Sequence, residues 1–391
     1  MKLSQEDLLI LSSIKINPSQ AELEQLNDMI PLVKDWNYLT KKAIEHQAGP
    51  LLYKKLHLLT NQKIIPLTAQ NDLKQSWLKT LSRSMVLIEH FKVISEAFKA
   101  EGIPLIAMKG ILLSDWLYHE IGLRQFSDLD LLVKEEDGPK CLDILKAIGY
   151  MSNEFDLTEF VKKNTDIVHY IPMVKNGVSV EIHIKIHSKS ELYKVDVADL
   201  WKNSKPVVIH GLETLKFDII YLLLHLCLHL DKHFCIGKTQ FTGFYDITNL
   251  LMEHATEIDW NLLNQTCIKY KASGHVYPYI LLCAKYMNAP IPDSVNKEYA
   301  KLLTWKRNRL FIRYMKKKMS VNYASYLFRS IKGQGDLIKS FHYLFDIVFP
   351  PGKFMIKRYH IRNESLFFLY YPVRFLIGIK AALTYIVNIF R

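Results

Sequence analysis

The sequence is poor in the residues that make chains flexible or cross-linked. Its 391 residues include 15 Gly and 14 Pro, which leaves little room for long linkers. The five cysteines (Cys141, Cys227, Cys235, Cys267 and Cys283) are an odd number without a Cys-x-x-Cys pair. That argues against a disulfide framework or a thiolate zinc site and fits a reducing cytoplasm. There is no Walker A loop, no G-x-S-x-G elbow, no H-E-x-x-H pair and no G-x-G-x-x-G turn. The readiest signatures of P-loop NTPases, serine hydrolases, zincins and dinucleotide-binding enzymes are thus missing. The opening MKLSQEDLLILSSI lacks the apolar core of a secretory signal, because acids interrupt it. The most apolar stretch, ESLFFLYYPVRFLIGIKAALTYIVNIFR, is broken by Pro372, Arg374 and Lys380. Its uncharged runs fall well short of the roughly 20 residues a membrane span needs, so buried or interfacial helices are expected there.

What is present is an ordinary globular composition, 49% apolar and 23% charged, long enough for two to three domains. The formal net charge of +12 is unevenly placed. Between Lys301 and Arg391, 18 Lys and Arg face three acids (Asp336, Asp346 and Glu364), so the first 300 residues hold 33 basic against 36 acidic side chains. The basic final quarter suits phosphate, nucleic acid or an anionic membrane surface. Its densest part, KRNRLFIRYMKKKM (306–319), interleaves aromatics that could stack on bases, but also reads as a solvated helix face.

Periodicity divides the chain into three stretches. Residues 1–100 read as helices, ending in a long amphipathic one that stops at Gly102. Residues 101–210 read as a compact α/β core: a strand in IPLIAM, a Lys109-Gly110 turn, a helix in ILLSDWLYHE, and a strand in DLDLLV. A helix to Gly149 follows, then a hairpin turning at Asn176-Gly177. Residues 211–391 read as helices throughout, with LETLKFDIIYLLLHLCLHLDKHF as a single one. The expected class is α+β, a small mixed sheet flanked by N- and C-terminal helical regions.

The chemistry gathers around Ser127-Asp128-Leu129-Asp130. Alternation puts Asp128 and Asp130 on one strand face, with Leu129, Leu131 and Val133 in the core. Two such carboxylates repel, and Mg²⁺, which combines one or two carboxylates with substrate phosphates, removes the repulsion. An Asp-x-Asp alone is common by chance. Three neighbours give it meaning: a strand–turn–helix unit able to hold phosphate, Arg124 just upstream, and Glu181 on the polar face of VEIHIKIH. Two cations about 3.5–4 Å apart need such bridging carboxylates. On that polar face His183 points the same way as Glu181. His225, His229 and His233 recur along one helical face and line a cleft, pack, or bind a metal. Asp246 faces the same region if its helix folds back.

The stretch MKGILLSDWLYHEIGLRQFSDLDLLV, followed by VEIHIKIH, resembles the uncharacterised nucleotidyltransferase family of the polymerase-β-like superfamily. The resemblance extends from HQAGPLLYKKL to the tyrosine-rich tail. It implies transfer of a nucleotidyl group from an NTP to an acceptor hydroxyl or phosphate, with release of pyrophosphate and two Mg²⁺ (or Mn²⁺) ions. Asp128, Asp130 and Glu181 match the metal-holding and catalytic carboxylates. Lys109, Gly110, Arg124 and Ser127 would contact the nucleotide, as would His183, His225, His229 and Asp246. Many superfamily members carry Gly-Gly or Gly-Ser where this chain has Lys109-Gly110, so Lys109 is expected to meet phosphate as a point charge. A sugar nucleotide or other activated donor, or a catalytically quiet relative docked on a membrane or a complex, remain alternative readings. The acceptor, whether small molecule, peptide, saccharide or RNA, is not encoded in motif spacing. A cytoplasmic protein, peripherally attached to the membrane through its tail, is the expected setting.

Overall fold

Pro66 starts the long helix Leu67–Ala100, whose buried side chains Leu73, Thr80, Ser84, Leu87, Phe91, Ile94 and Phe98 recur every three to seven residues along one stripe. Gly102, at φ 69°, ends the turn that follows it, a conformation that costs a β-carbon-bearing residue dearly. The computed structural model describes residues 2–152, 167–188, 191–235, 241–316, 338, 341, 345, 348–350 and 352–379. Part of the basic cluster (317–319) and the end of the apolar tail (380–391) lie outside the described residues.

The long helix lies on the N-terminal helices Trp36–Glu45 and Gly49–Leu56 and on the sheet. Seven strands make that sheet: β1 (Ile106–Ala107), β2 (Asp128–Leu132), β3 (Met151–Ser152), β4 (Met173–Lys175), β5 (Val178–His183), β6 (Ser204–Ile209) and β7 (Leu212–Phe217). Their spatial order is β3-β4-β5-β2-β1-β7-β6. β2 runs parallel to β5 and β1 parallel to β7, while the other pairs are antiparallel, so the sheet is mixed. The class is α+β, as the sequence implies. Buried apolar side chains from Leu9 to Met315 form one contiguous core shared by the three stretches.

Both hairpins turn at left-handed pairs, Asn176-Gly177 at φ 50° and 73° and His210-Gly211 at φ 51° and 82°, the conformation that two-residue hairpin loops require. Only the first is plain in the sequence. The expected single helix from Leu212 onward is corrected by the structure: Leu212–Phe217 is a strand, and the helix is Ile219–Cys235. Asp218 divides them, because its carboxylate accepts the Tyr221 N–H at 2.9 Å and caps the new helix. The expected long strand through His187 also stops early. Beyond His183, the N–H groups of Ile184 and Lys185 both donate to the Val168 carbonyl, so the chain leaves the β2 ladder.

Candidate functional site

The parallel pairing of β2 with β5 builds the site. Its register sets Asp128 opposite Ser179, Asp130 opposite Glu181 and Leu132 opposite His183. Because alternate side chains share a face, Asp128, Asp130, Glu181 and His183 all emerge on one side of the sheet. Leu129, Leu131, Val180 and Ile182, on the other side, are buried in the core.

Three carboxylates on one partly buried face would repel, and basic side chains gathered on them relieve the repulsion. The Lys109 ammonium donates to Asp130 Oδ1 at 2.8 Å, and His183 Nε2 lies 2.9 Å from the same oxygen. His183 Nε2 is also 3.4 Å from Glu181 Oε2, and His169 Nε2 approaches Glu181 Oε2 at 3.8 Å. Burial alone would raise the pKa of Asp130, but Lys109 and His183 outweigh it and hold the carboxyl well below its usual range. Burial likewise works against ionised Glu181, and His183 reverses the balance. Burial disfavours charge on His183 too, yet its hydrogen bonds to Asp130 and Glu181 raise its pKa. Among the described residues Asp128 makes no such ion pair, and the charges of Lys109 and Arg124 act on it only without contact. Burial, then the charges of Asp130 and Glu181, push its carboxyl up to about 6, the mark of a negative site short of positive charge.

Lys109 reaches Asp130 from the turn between β1 and the helix Lys109–Trp116. The Met108 N–H donates to the Asp130 carbonyl at 3.1 Å, fixing that turn against β2. Lys109 itself is left-handed, at φ 44°, a conformation that costs a non-glycine residue of order 1 kcal/mol or more and collects at functional positions. Gly110 follows for a packing reason: a β-carbon there would come within 2.6 Å of the Phe126 side chain.

From the other side, His229 Nε2 lies 3.4 Å from the Lys109 ammonium and 3.1 Å from His233 Nε2. Burial and the Lys109 charge drive His225 down to about 3 and His229 well below its ordinary value, so both imidazoles are neutral. The structure thus brings together Lys109, Asp128, Asp130, Glu181, His183, His225 and His229, contributed by four separate elements.

Arg124 and Asp246 stand beside this cluster but engage each other. Arg124 Nε and Nη2 donate to the two Asp246 oxygens at 2.9 and 2.7 Å, and the Tyr118 hydroxyl donates to Oδ1 at 2.9 Å. All three residues are buried. This fork anchors the segment before β2 to the helix Thr242–Glu253, and only Nη1 and the second Nη2 hydrogen remain for a ligand. Ser127 is exposed at the head of β2.

Two positioning residues escape the sequence reading. Arg83, on the long helix, donates through Nη2 to the carbonyls of Ser127 at 2.8 Å and Gly177 at 2.9 Å, tying the start of β2 to the turn before β5. His169 forms an isolated antiparallel bridge with His183. It opens the first arm of the expected hairpin, HYIPMV, which folds it back toward His183, but nothing in that arm marked it as part of the site.

The donor set fits a cation. Ligand atoms of Asp130, Glu181 and His183 all lie within 4.8 Å of one another, at a site where Asp130 already holds the Lys109 ammonium. Divalent ions held there would carry oxygens of a phosphate-rich substrate.

Two outcomes follow from this electrostatic layout. Replacing Asp246 with Asn leaves the buried Arg124 charge unpaired, and urea unfolding should show a loss of about 3–5 kcal/mol. The double replacement Arg124→Met with Asp246→Leu should recover at least half of that loss. In the metal-free protein, carboxyl NMR should find Asp128 titrating near pH 6. Asp130→Asn removes a neighbouring negative charge and should move that midpoint down.

Comparison with curated proteins and with solved structures finds no significant match. The model of the uncharacterised nucleotidyltransferase family matches residues 33–288, spanning the last N-terminal helices, the whole sheet and the histidine-bearing helix. A family of this kind acts as a transferase of phosphorus-containing groups, uses a nucleotide donor with an acceptor, and typically employs divalent metals. With well over half of its length matched, the chain belongs to the uncharacterised nucleotidyltransferase family.

Proposed function

We propose that this nucleotidyltransferase moves a nucleotidyl group from an NTP to a hydroxyl or phosphate oxygen of its acceptor, with Mg²⁺ or Mn²⁺ and with pyrophosphate as leaving group. One observation carries the reading: the register that sets Asp130 opposite Glu181, with Asp128 two residues away on the same face. Asp128, Asp130 and Glu181 would hold the divalent ions, which when bound neutralise the triphosphate and lower the pKa of the attacking oxygen.

The chain's own groups do the rest. Gly110 brings the N-terminus of the helix Lys109–Trp116 close under Phe126, where free backbone N–H groups can meet phosphate. Lys109, whose ammonium donates to Asp130, would turn to the phosphates once a cation takes that carboxylate. His183 and His169 keep Glu181 ionised and oriented. The neutral His225 and His229 offer uncharged nitrogens toward the phosphates or the acceptor. Arg124 and Asp246 hold the Asp-x-Asp strand in place, with the outer guanidinium edge left for substrate. Positioning and charge neutralisation supply the rate, as in phosphoryl transfer generally.

In the double variant Asp128→Asn, Asp130→Asn, pyrophosphate release from each NTP, read by coupled assay and product mass, should vanish while far-UV circular dichroism is retained. Turnover surviving in that variant would overturn the carboxylate assignment. Lys109→Ala should weaken apparent nucleotide affinity at least tenfold; unchanged affinity removes Lys109 from the phosphate site.

A finer proposal concerns the tail. No described helix is long and apolar enough to cross a membrane. Yet Leu366, Phe368, Leu369, Val373, Phe375, Leu376 and Ile377 are all exposed, Leu376 to 65%, beside exposed Arg358 and Arg362. The tail's apolar side chains therefore stay out of the core and suit an interfacial position. Apolar side chains flanked by cations favour an anionic bilayer surface. Co-sedimentation with vesicles rich in phosphatidylserine should be lost when Phe375, Leu376 and Ile377 are all replaced by Ser. Equal sedimentation of both proteins would remove the tail from membrane binding.

A further inference from the structure

The donor atoms around Asp130 differ in hardness. Asp128 and Glu181 are both partly exposed and offer oxygen alone. Asp130 Oδ1, Glu181 Oε2 and His183 Nε2 together form a mixed set, with the imidazole nitrogen 2.9 and 3.4 Å from the two oxygens. Ligands of one cation with bonds near 2.1 Å stand about 3.0 Å apart at octahedral angles and about 3.4 Å apart at tetrahedral ones. Asp130 and His183 are both buried, at 5% and 7% exposure, so little water can complete a hydrated ion there.

A second feature lies on the histidine-bearing helix. His225 is 4% exposed, and among the described residues its buried Nε2 has no hydrogen-bond partner. The charged groups that act on it are Lys109, Asp130 and His183. An orphaned buried ring nitrogen is costly and is relieved by a group that accepts a lone pair or by a ligand brought to it.

Mg²⁺ takes oxygen ligands and dehydrates reluctantly, whereas imidazole suits Zn²⁺ and other first-row ions, and Mn²⁺ accepts mixed oxygen and nitrogen sets. We propose that the two cations of this site are unlike: a first-row transition ion, of the Mn²⁺ or Zn²⁺ class, held by Asp130, Glu181 and His183, and a Mg²⁺ confined to the Asp128 side. His183 is then a metal ligand, beyond the three carboxylates. The inference rests on the proposed two-cation reading of the site and narrows its metal chemistry.

The test uses the full chain, stripped with chelator and dialysed against micromolar Mn²⁺ in a large molar excess of Mg²⁺. Elemental analysis should find Mn²⁺ retained, and spin-echo electron paramagnetic resonance should show a directly bound nitrogen. His183→Ala should lose that nitrogen signal and weaken Mn²⁺ binding by roughly tenfold or more. His183→Asp, which makes the set all-oxygen, should keep a cation but exchange it for Mg²⁺; circular dichroism confirms that both variants fold. Displacement of Mn²⁺ by Mg²⁺ in the unsubstituted chain overturns the inference, as does Mn²⁺ retention unchanged in His183→Ala. Mg²⁺-supported pyrophosphate release without Mn²⁺ retention sinks this assignment alone. Retention of Mn²⁺ through His183 in a chain that turns over no nucleotide upholds the site and sinks the proposed reaction instead.

Discussion

The parallel pairing of β2 with β5 is the constraint on which the rest depends. It sets Asp130 directly against Glu181, a like-charge cross-strand pair that a sheet normally avoids. The face is partly buried, so the repulsion is felt in a medium that screens it poorly. A fold can keep such a pair only with compensating positive charge. Here it comes from Lys109 and His183, both focused on one oxygen of Asp130. The left-handed conformation of Lys109 is part of the cost of bringing that charge so close.

Compensation is incomplete by design of the layout. The hydrogen-bonded and ion-paired basic groups gather on Asp130 and Glu181, and the deficit falls on Asp128, whose carboxyl is pushed up to about 6 because burial and its acidic neighbours act together. The histidine-bearing helix completes the picture from the opposite wall. Its imidazoles are kept neutral by burial and by Lys109, so they add donors and acceptors without adding to the positive charge.

Rigidity around the cluster comes from longer-range ties. The Arg124–Asp246 fork joins residues 122 apart in sequence, and Arg83 joins the heads of β2 and β5 to the long helix. The buried Arg124–Asp246 pair adds little net stability, but together with the exposed Arg83 bonds it fixes the direction from which the Asp-x-Asp strand presents its side chains. Sub-ångström placement of that sort decides how well reacting groups are held. The shared apolar core from Leu9 to Met315 lends both ties one frame, whereas apolar side chains of the tail are exposed.

Much of this was legible in the sequence. Period-two alternation put Asp128 and Asp130 on one face of their strand and Glu181 on the polar face of another, because a strand has only two faces; the register that joins those two faces was not in it. The Asn176-Gly177 turn announced its hairpin, and the absence of competing motifs narrowed the chemistry. The strand Leu212–Phe217 was not legible, because its apolar residues run straight into those of the next helix and only the capping bond of Asp218 separates them. Nor could the sequence say that Arg124 spends its fork on Asp246, that His169 meets His183, or that Lys109 rests on Asp130. Local spacing fixes which side of an element a residue occupies; which element lies beyond that side, and so which charge finds which partner, is decided only when the whole chain packs.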